Sequence, residues 1–395
     1  MFSSRTPADL APNRLARAVR SQRAAGRDII DLTQSNPTRA GFDYPVDLLA
    51  RLADPAALTY APEPLGGLEA RRAVACEYAR RGVPVRPEHV ALSASTSEAY
   101  GFLFKLLIGA GDDVLVPRPS YPLFDHLTRF DLARARPYDL ECHGAWRIDF
   151  ESLERALSGR TRAILLVSPN NPTGSFVHPE DMERLASLCA SRGMAVIADE
   201  VFADYELVPD GRAASGRVLG REDVLAFSLG GLSKSVGLPQ VKLAWIAASG
   251  PDALLRAALD RLEVICDAYL SVSTPVQVAA PDLLRRGAVV REQIADRVAA
   301  NYQRLREQAV AVPCCRVLPG QGGWYAVLQV PTLESEEALV LGLLEHDGVL
   351  THPGYFFDFA RESFLVVSLL APPGDFATGV AAILRHFECT AGAHG

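Results

Sequence analysis

Three side chains in this 395-residue chain could do chemistry together: the amide of Asn171, the carboxylate of Asp199 and the amine of Lys234. Each follows an apolar run, and successive members lie about 30 residues apart. Asn171 sits in Ser168-Pro169-Asn170-Asn171-Pro172-Thr173-Gly174, directly after Ala163-Ile164-Leu165-Leu166-Val167. Such a run reads as a buried parallel strand, and a polar turn at its C-terminal end is where open α/β sheets place ligands. Pro172 stiffens the turn and Gly174 permits dihedrals that other residues avoid, so the Asn171 amide is presented at a fixed position. Taken alone, the stretch also fits an ordinary loop rich in turn formers.

Asp199 ends a second apolar strand, Ala195-Val196-Ile197-Ala198. Pro179 to Arg192 supplies the crossover helix between the two strands, with Met182, Leu185, Leu188 and Cys189 at helical spacing. Lys234 lies in a loop of small residues, Gly230-Gly231-Leu232-Ser233-Lys234-Ser235, after a strand at Val224-Leu225-Ala226-Phe227-Ser228-Leu229. A lone aspartate at a strand end is ordinarily a cap, and a lone Ser-Lys pair ordinarily a solvated surface feature. The three together form a far more specific set, and a lysine amine beside a carboxylate suits carbonyl and proton-transfer chemistry.

The elements that must position this set alternate between strand and helix. Further strand-like runs are His89 to Ser93, Asp113 to Val116 and Val241 to Ala247. The alternation argues for an α/β fold with a mainly parallel sheet and helices on both faces. Residues 8 to 25 read as an amphipathic helix carrying Leu10, Leu15, Val19 and Ala24. A long helical stretch runs from about Pro275 to Ala311. After it, Gly322 to Leu328 and Phe364 to Leu369 read as strands of a smaller α+β unit.

With 49% hydrophobic residues, the chain has enough apolar surface for one large domain and a smaller one. A net charge of −7 gives no nucleic-acid footprint. The seven cysteines (Cys76, Cys142, Cys189, Cys266, Cys314, Cys315 and Cys389) show no Cys-x-x-Cys spacing, so neither disulfides nor a zinc or other metal site is expected. That usage fits a cytoplasmic protein. Arginines 5, 14, 17, 20 and 23, without a long apolar run, exclude a secretory signal, and no stretch reaches the length of a membrane span.

With the asparagine, aspartate and lysine in this order, the chain resembles the class I/II aminotransferase family, fold-type-I pyridoxal-phosphate (PLP) enzymes of the aspartate aminotransferase superfamily, from Leu32 to about Leu384. The resemblance implies a large PLP-binding domain (49–285) with a seven-stranded sheet. It also implies a discontinuous small α+β domain made of an N-terminal segment (1–48) and residues 286–395. It implies a homodimer with a shared site, acting on an amino donor and a 2-oxo acid acceptor.

The resemblance assigns roles residue by residue. Lys234 would form the Schiff base with PLP and shuttle the proton at the substrate's Cα. Asp199 would pair with the pyridinium nitrogen, and Asn171 would bond the phenolic oxygen. Ser95, Thr96 and Ser97 open a helix where the phosphate would sit, although Ser95 is also a plain N-cap type. Ser228 or Ser233 would add a hydroxyl, and Lys242 stands where relatives carry an arginine on the phosphate. Tyr121 would stack on the ring. Tyr60, ahead of Pro64-Leu65-Gly66-Gly67-Leu68, would reach the neighbouring subunit's phosphate.

Two departures matter. Phe202 stands three residues after the aspartate where relatives usually carry tyrosine, so a raised Schiff-base pKa is expected. Val366-Val367-Ser368-Leu369 replaces the usual Arg-[Ile/Leu]-Ser-[Phe/Leu] strand, whose arginine grips the substrate carboxylate. Losing such a contact costs about 1.5–3 kcal/mol. Either another arginine (Arg39 beside the loop Gln34-Ser35-Asn36-Pro37-Thr38, or Arg361) holds the carboxylate, or the substrate lacks one there. The leading expectation is an aminotransferase; a PLP-dependent lyase, decarboxylase or cyclase is the alternative, because these reactions share the same site residues.

Overall fold

The structure, a computed structural model, describes residues 2–208 and 216–391; the side chains of 389–391, Cys389 among them, lie outside that description. Strand β1 (Ile30–Asp31) precedes the large sheet. That sheet is built from β2 (Val90–Ser93), β3 (Asp113–Arg118), β4 (Arg134–Cys142), β5 (Trp146–Ile148), β6 (Thr161–Val167), β7 (Ala195–Asp199), β8 (Ala226–Gly231) and β9 (Ala244–Ser249). Their order across it is β2-β9-β8-β7-β6-β3-β4-β5. β3, β4, β6, β7 and β8 run parallel, while β9 and the edge strand β5 run against their neighbours. The eighth strand, beyond the seven expected, is β5, whose three residues are too few to show a period in sequence.

The continuous apolar runs follow from burial on both faces. Along β6, Ala163, Leu165 and Val167 pack with the helices Thr96–Leu107 and Asp252–Asp267, while Ile164 and Leu166 pack with Leu185 and Met182 of the helix Pro179–Arg192. β9 begins at Ala244 rather than Val241, because Lys242 adopts a left-handed backbone with φ 61°. The N-terminal helix is shorter than expected, Arg14–Ala24, and starts where the Asn13 side chain accepts from the Ala16 amide.

The long helical stretch is two helices, Thr274–Arg286 and Ala288–Ala309, meeting at Gly287. A Cβ on Gly287 would lie 2.5 Å from the Leu283 carbonyl oxygen and 2.7 Å from the Val236 side chain, so only glycine fits there. After them comes a second sheet, formed by β10 (Arg316–Val317), β11 (Tyr325–Gln329), β13 (His352–Pro353) and β14 (Phe364–Ser368) in the order β10-β11-β14-β13. β12 (Val349–Leu350) pairs in parallel with β1, and Leu15 and Leu32 share a core with Val298, Leu343 and Ile383. The N-terminal segment is thus packed into the C-terminal part of the chain.

The two sheets meet beside the Asn171 turn. Gln321 and Gly322 both donate their amides to the Gly174 carbonyl, at 2.9 and 2.8 Å. Gly174 has φ 68°, and a Cβ on it would lie 2.6 Å from the Gly322 oxygen, so this approach also requires glycine.

Candidate active site

The C-terminal ends of β6, β7 and β8 open onto a cavity of about 180 Å³. Asp199 ends β7, in register between Val167 and Leu229 on the flanking strands. Its Oδ1 accepts from the Val201 amide at 3.1 Å and its Oδ2 from the Tyr100 hydroxyl at 3.1 Å. One face of the carboxyl borders the cavity, yet the surrounding protein desolvates it and pushes its pKa up to about 6. The two hydrogen bonds and the Lys234 amine pull the other way.

Lys234 lies on the short helix Leu232–Ser235 that follows β8. Burial lowers its amine to about 8, partly opposed by the Asp199 charge. Its Nζ lies 4.7 Å from the centroid of the Trp324 ring and 5.6 Å from that of Phe202. The Tyr205 hydroxyl donates to the Lys234 backbone carbonyl and fixes the turn that carries the amine.

The Asn171 amide is buried on the cavity wall, and its oxygen has no hydrogen-bond partner. Thr96 and Ser97, at the start of the helix Thr96–Leu107, also line the cavity. Ser95 does not. Its hydroxyl caps the helix by accepting from the Glu98 amide at 3.1 Å, and the Glu98 carboxylate accepts from the Ala94 amide at 2.7 Å.

Of the two serines left open, Ser233 lines the cavity and Ser228 lies elsewhere. Side chains alternate along β8, and Ser228 points to the opposite face of the sheet. There it is fully buried, donates to Glu200 Oε2 at 2.6 Å and lies 2.9 Å from the Tyr78 hydroxyl.

Tyr121 and Phe202 border the cavity, with Tyr121 45% exposed. Phe202 packs edge-on against Trp324 and Tyr325. Lys242 is exposed and away from the cavity, as is Tyr60 at 75% exposure. Ser35 lines the cavity. Asn36 instead caps the turn Pro37–Arg39, its Oδ1 accepting from the Thr38 amide at 3.1 Å.

Neither arginine offered for the carboxylate reaches the cavity. Arg39 is exposed, and Arg361 is exposed with its guanidinium 5.6 Å from the Phe364 ring centroid. Val366 is fully buried within the second sheet, between Val327 and His352. Sequence reasoning missed Tyr100, Tyr205, Trp324 and Tyr325. Tyr325 sat inside a strand recognised in sequence, but nothing local marked its side chain as facing a cavity.

These residues fit pyridoxal phosphate. An amine of lowered pKa, a carboxyl of raised pKa and the buried Asn171 carboxamide, whose N–H could donate to a phenolic oxygen, surround one space. Two hydroxyl side chains at a helix start suit a phosphate. Such a set could hold a phosphorylated, protonatable ring bearing an aldehyde.

The comparisons with known proteins agree. The sequence model of the family aminotransferase class I and II matches residues 27–377. The chain belongs to this family, and it is an amino-acid aminotransferase. It is 28% identical over 376 residues to an alanine aminotransferase of Mycobacterium tuberculosis, covering 90% of this chain and 85% of that protein. It is 26% identical over 356 residues to a glutamate-pyruvate aminotransferase of Escherichia coli, covering 87% of each. Its fold matches a solved alanine aminotransferase of Pyrococcus furiosus with a TM-score of 0.87 at 22% identity, over 98% of this chain and 100% of that one.

Proposed function

We propose that the chain exchanges an amino group between alanine or glutamate and a 2-oxo acid, with PLP held by Lys234. The carrying observation is the convergence of Lys234, Asp199 and Asn171 on one cavity. The names of the relatives, alanine aminotransferase and glutamate-pyruvate aminotransferase, support the choice of donors. When bound, PLP accepts the amino group and delocalises the electrons released at the substrate's Cα.

The chain's own residues supply position and protons. Asp199 would hold a proton on the ring nitrogen: above its pKa of about 6 the carboxyl is ionised, and a cationic partner offsets the cost of burying that charge. Lys234 would hold the cofactor, and an amine near 8 is matched to taking and returning a proton at the substrate's Cα near neutral pH. Asn171 orients the ring through its amide. Thr96, Ser97 and Ser233, which line the cavity, would hold the phosphate, and Tyr121 would cover the ring.

We place the small unit at 1–48 and 286–395 and the large one at 49–285. The pairing of β1 with β12 supports that division. We further propose a homodimer. Tyr60 and Leu58, 75% and 89% exposed, offer an apolar surface to a second copy. A cytoplasmic location accords with the six described cysteines being free thiols; among the described residues no helix is long and apolar enough to cross a membrane.

The test is the visible absorption of the protein with PLP during addition of amino acids. Conversion to the pyridoxamine form with alanine or glutamate, reversed by a 2-oxo acid, is the expected result. Release of ammonia or carbon dioxide without pyridoxamine would instead support a lyase or decarboxylase.

A further inference from the structure

An amino-acid substrate brings a carboxylate into the cavity. Among the described residues, Lys234 is the only cationic side chain that lines it, and on the aminotransferase reading that amine is taken up by the cofactor and the Cα proton. The remaining donors on the wall include two hydroxyls, those of Tyr325 and Ser35. Tyr325 pairs across the sheet with Ser368, so it stands diagonal to Val366 on the same face. His352 lies directly opposite Val366 but does not line the cavity, whereas the diagonal Tyr325 does, so Tyr325 is the polar side chain that connects this position to the cavity.

The phenol is also held rigidly. Its ring lies between Phe202 (6.4 Å, 87°) and Phe357 (6.4 Å, 57°). Burial pushes its pKa up to about 12, so it keeps its proton throughout the neutral range. A protonated phenol and a serine hydroxyl each offer one O–H donor to an acceptor in the cavity.

We infer that Tyr325 and Ser35 bind the substrate carboxylate through their hydroxyls, as a neutral clamp in place of a guanidinium. This assignment rests on the aminotransferase reading and adds to it the groups that recognise the substrate.

The experiment is a calorimetric titration of the PLP-loaded protein with propionate, a carboxylate without an amine. It is repeated in Tyr325→Phe, Ser35→Ala, Arg39→Ala and Arg361→Ala. Tyr325→Phe keeps the ring between its two aromatic neighbours, so the fold is retained. It is expected to weaken propionate binding by about ten- to a hundredfold, the effect of removing a hydrogen bond to a charged group. Ser35→Ala is expected to weaken it by about tenfold, and the arginine variants to leave it unchanged. The kcat/KM for L-alanine should fall in parallel, while that for ethylamine stays constant.

Unchanged propionate binding in Tyr325→Phe and Ser35→Ala overturns the clamp. So does its loss in either arginine variant, or its absence in the wild type. A wild type that binds propionate but passes no amino group to a 2-oxo acid defeats the aminotransferase reading and leaves the clamp standing.

Discussion

The hydroxyl of Tyr100 donates to Asp199 Oδ2 across 3.1 Å, from the same helix whose first residues, Thr96 and Ser97, line the cavity. One helix thereby reaches two places on the candidate cofactor site, the hydroxyls at its start and the carboxylate one turn further along. The hydrogen bond lowers the proton affinity of a carboxyl that burial has raised to about 6. Tyr100→Phe removes that opposition, so the carboxyl stays protonated closer to neutral pH. PLP binding to the cofactor-free variant, followed by tryptophan fluorescence, is expected to weaken about tenfold near pH 6 and to recover by about pH 8. A loss of equal size at both pH values would mean that Tyr100 acts only by packing.

Ser228 and Ser233 provide a matched pair. Ser228 supplies a hydrogen bond to the buried Glu200 carboxylate from the face of the sheet opposite the cavity. Ser228→Ala is expected to cost about 1–3 kcal/mol in urea unfolding and to leave PLP affinity unchanged. Ser233→Ala should do the reverse. Equal loss of PLP affinity in both would return Ser228 to the phosphate site.

Phe202 occupies the place where a tyrosine is expected, on the cavity wall and 5.6 Å from Lys234 Nζ at its ring centroid. A phenol there would donate to the ring oxygen and favour its anionic form. Phe202→Tyr is expected to lower the pH at which the visible band of the bound cofactor titrates. A titration that stays in place would show that position 202 does not reach that oxygen.

What was legible in sequence follows from how each residue meets the site. Asp199 ends an apolar strand and Asn171 and Lys234 each follow one closely, a local signal that survives without tertiary information. Tyr100 meets Asp199 across 99 residues, and Tyr205 reaches the backbone of Lys234 across 29, so no local pattern marks either. The Ser228 and Ser233 choice could not be made because β8 is buried on both faces, which erases the polar alternation that would reveal side-chain direction. Arg39 and Arg361 lie near the substrate region in sequence alone, and both turn to solvent. The break at Gly287 was hidden because a single glycine is tolerated within a helical pattern.

The last prediction concerns stability in the absence of cofactor. Lys234 has its amine lowered to about 8 from 10.5 by burial. Between those values the unfolded chain binds more protons than the folded one, so this lysine makes stability rise with pH. At neutral pH the folded state carries the full cost of a buried ammonium, and above about pH 10.5 it carries none. Lys234→Met is therefore expected to raise the Tm of the cofactor-free protein at about pH 7.5, and the advantage should shrink steadily toward about pH 10.5. Comparing the two proteins at each pH cancels the titration of the other lysine and tyrosine residues. Keeping above about pH 7.5 avoids Asp199, whose carboxyl titrates near 6. A Tm difference that does not change with pH would show that the amine finds enough water or π-contact over Trp324 to hold its charge without penalty.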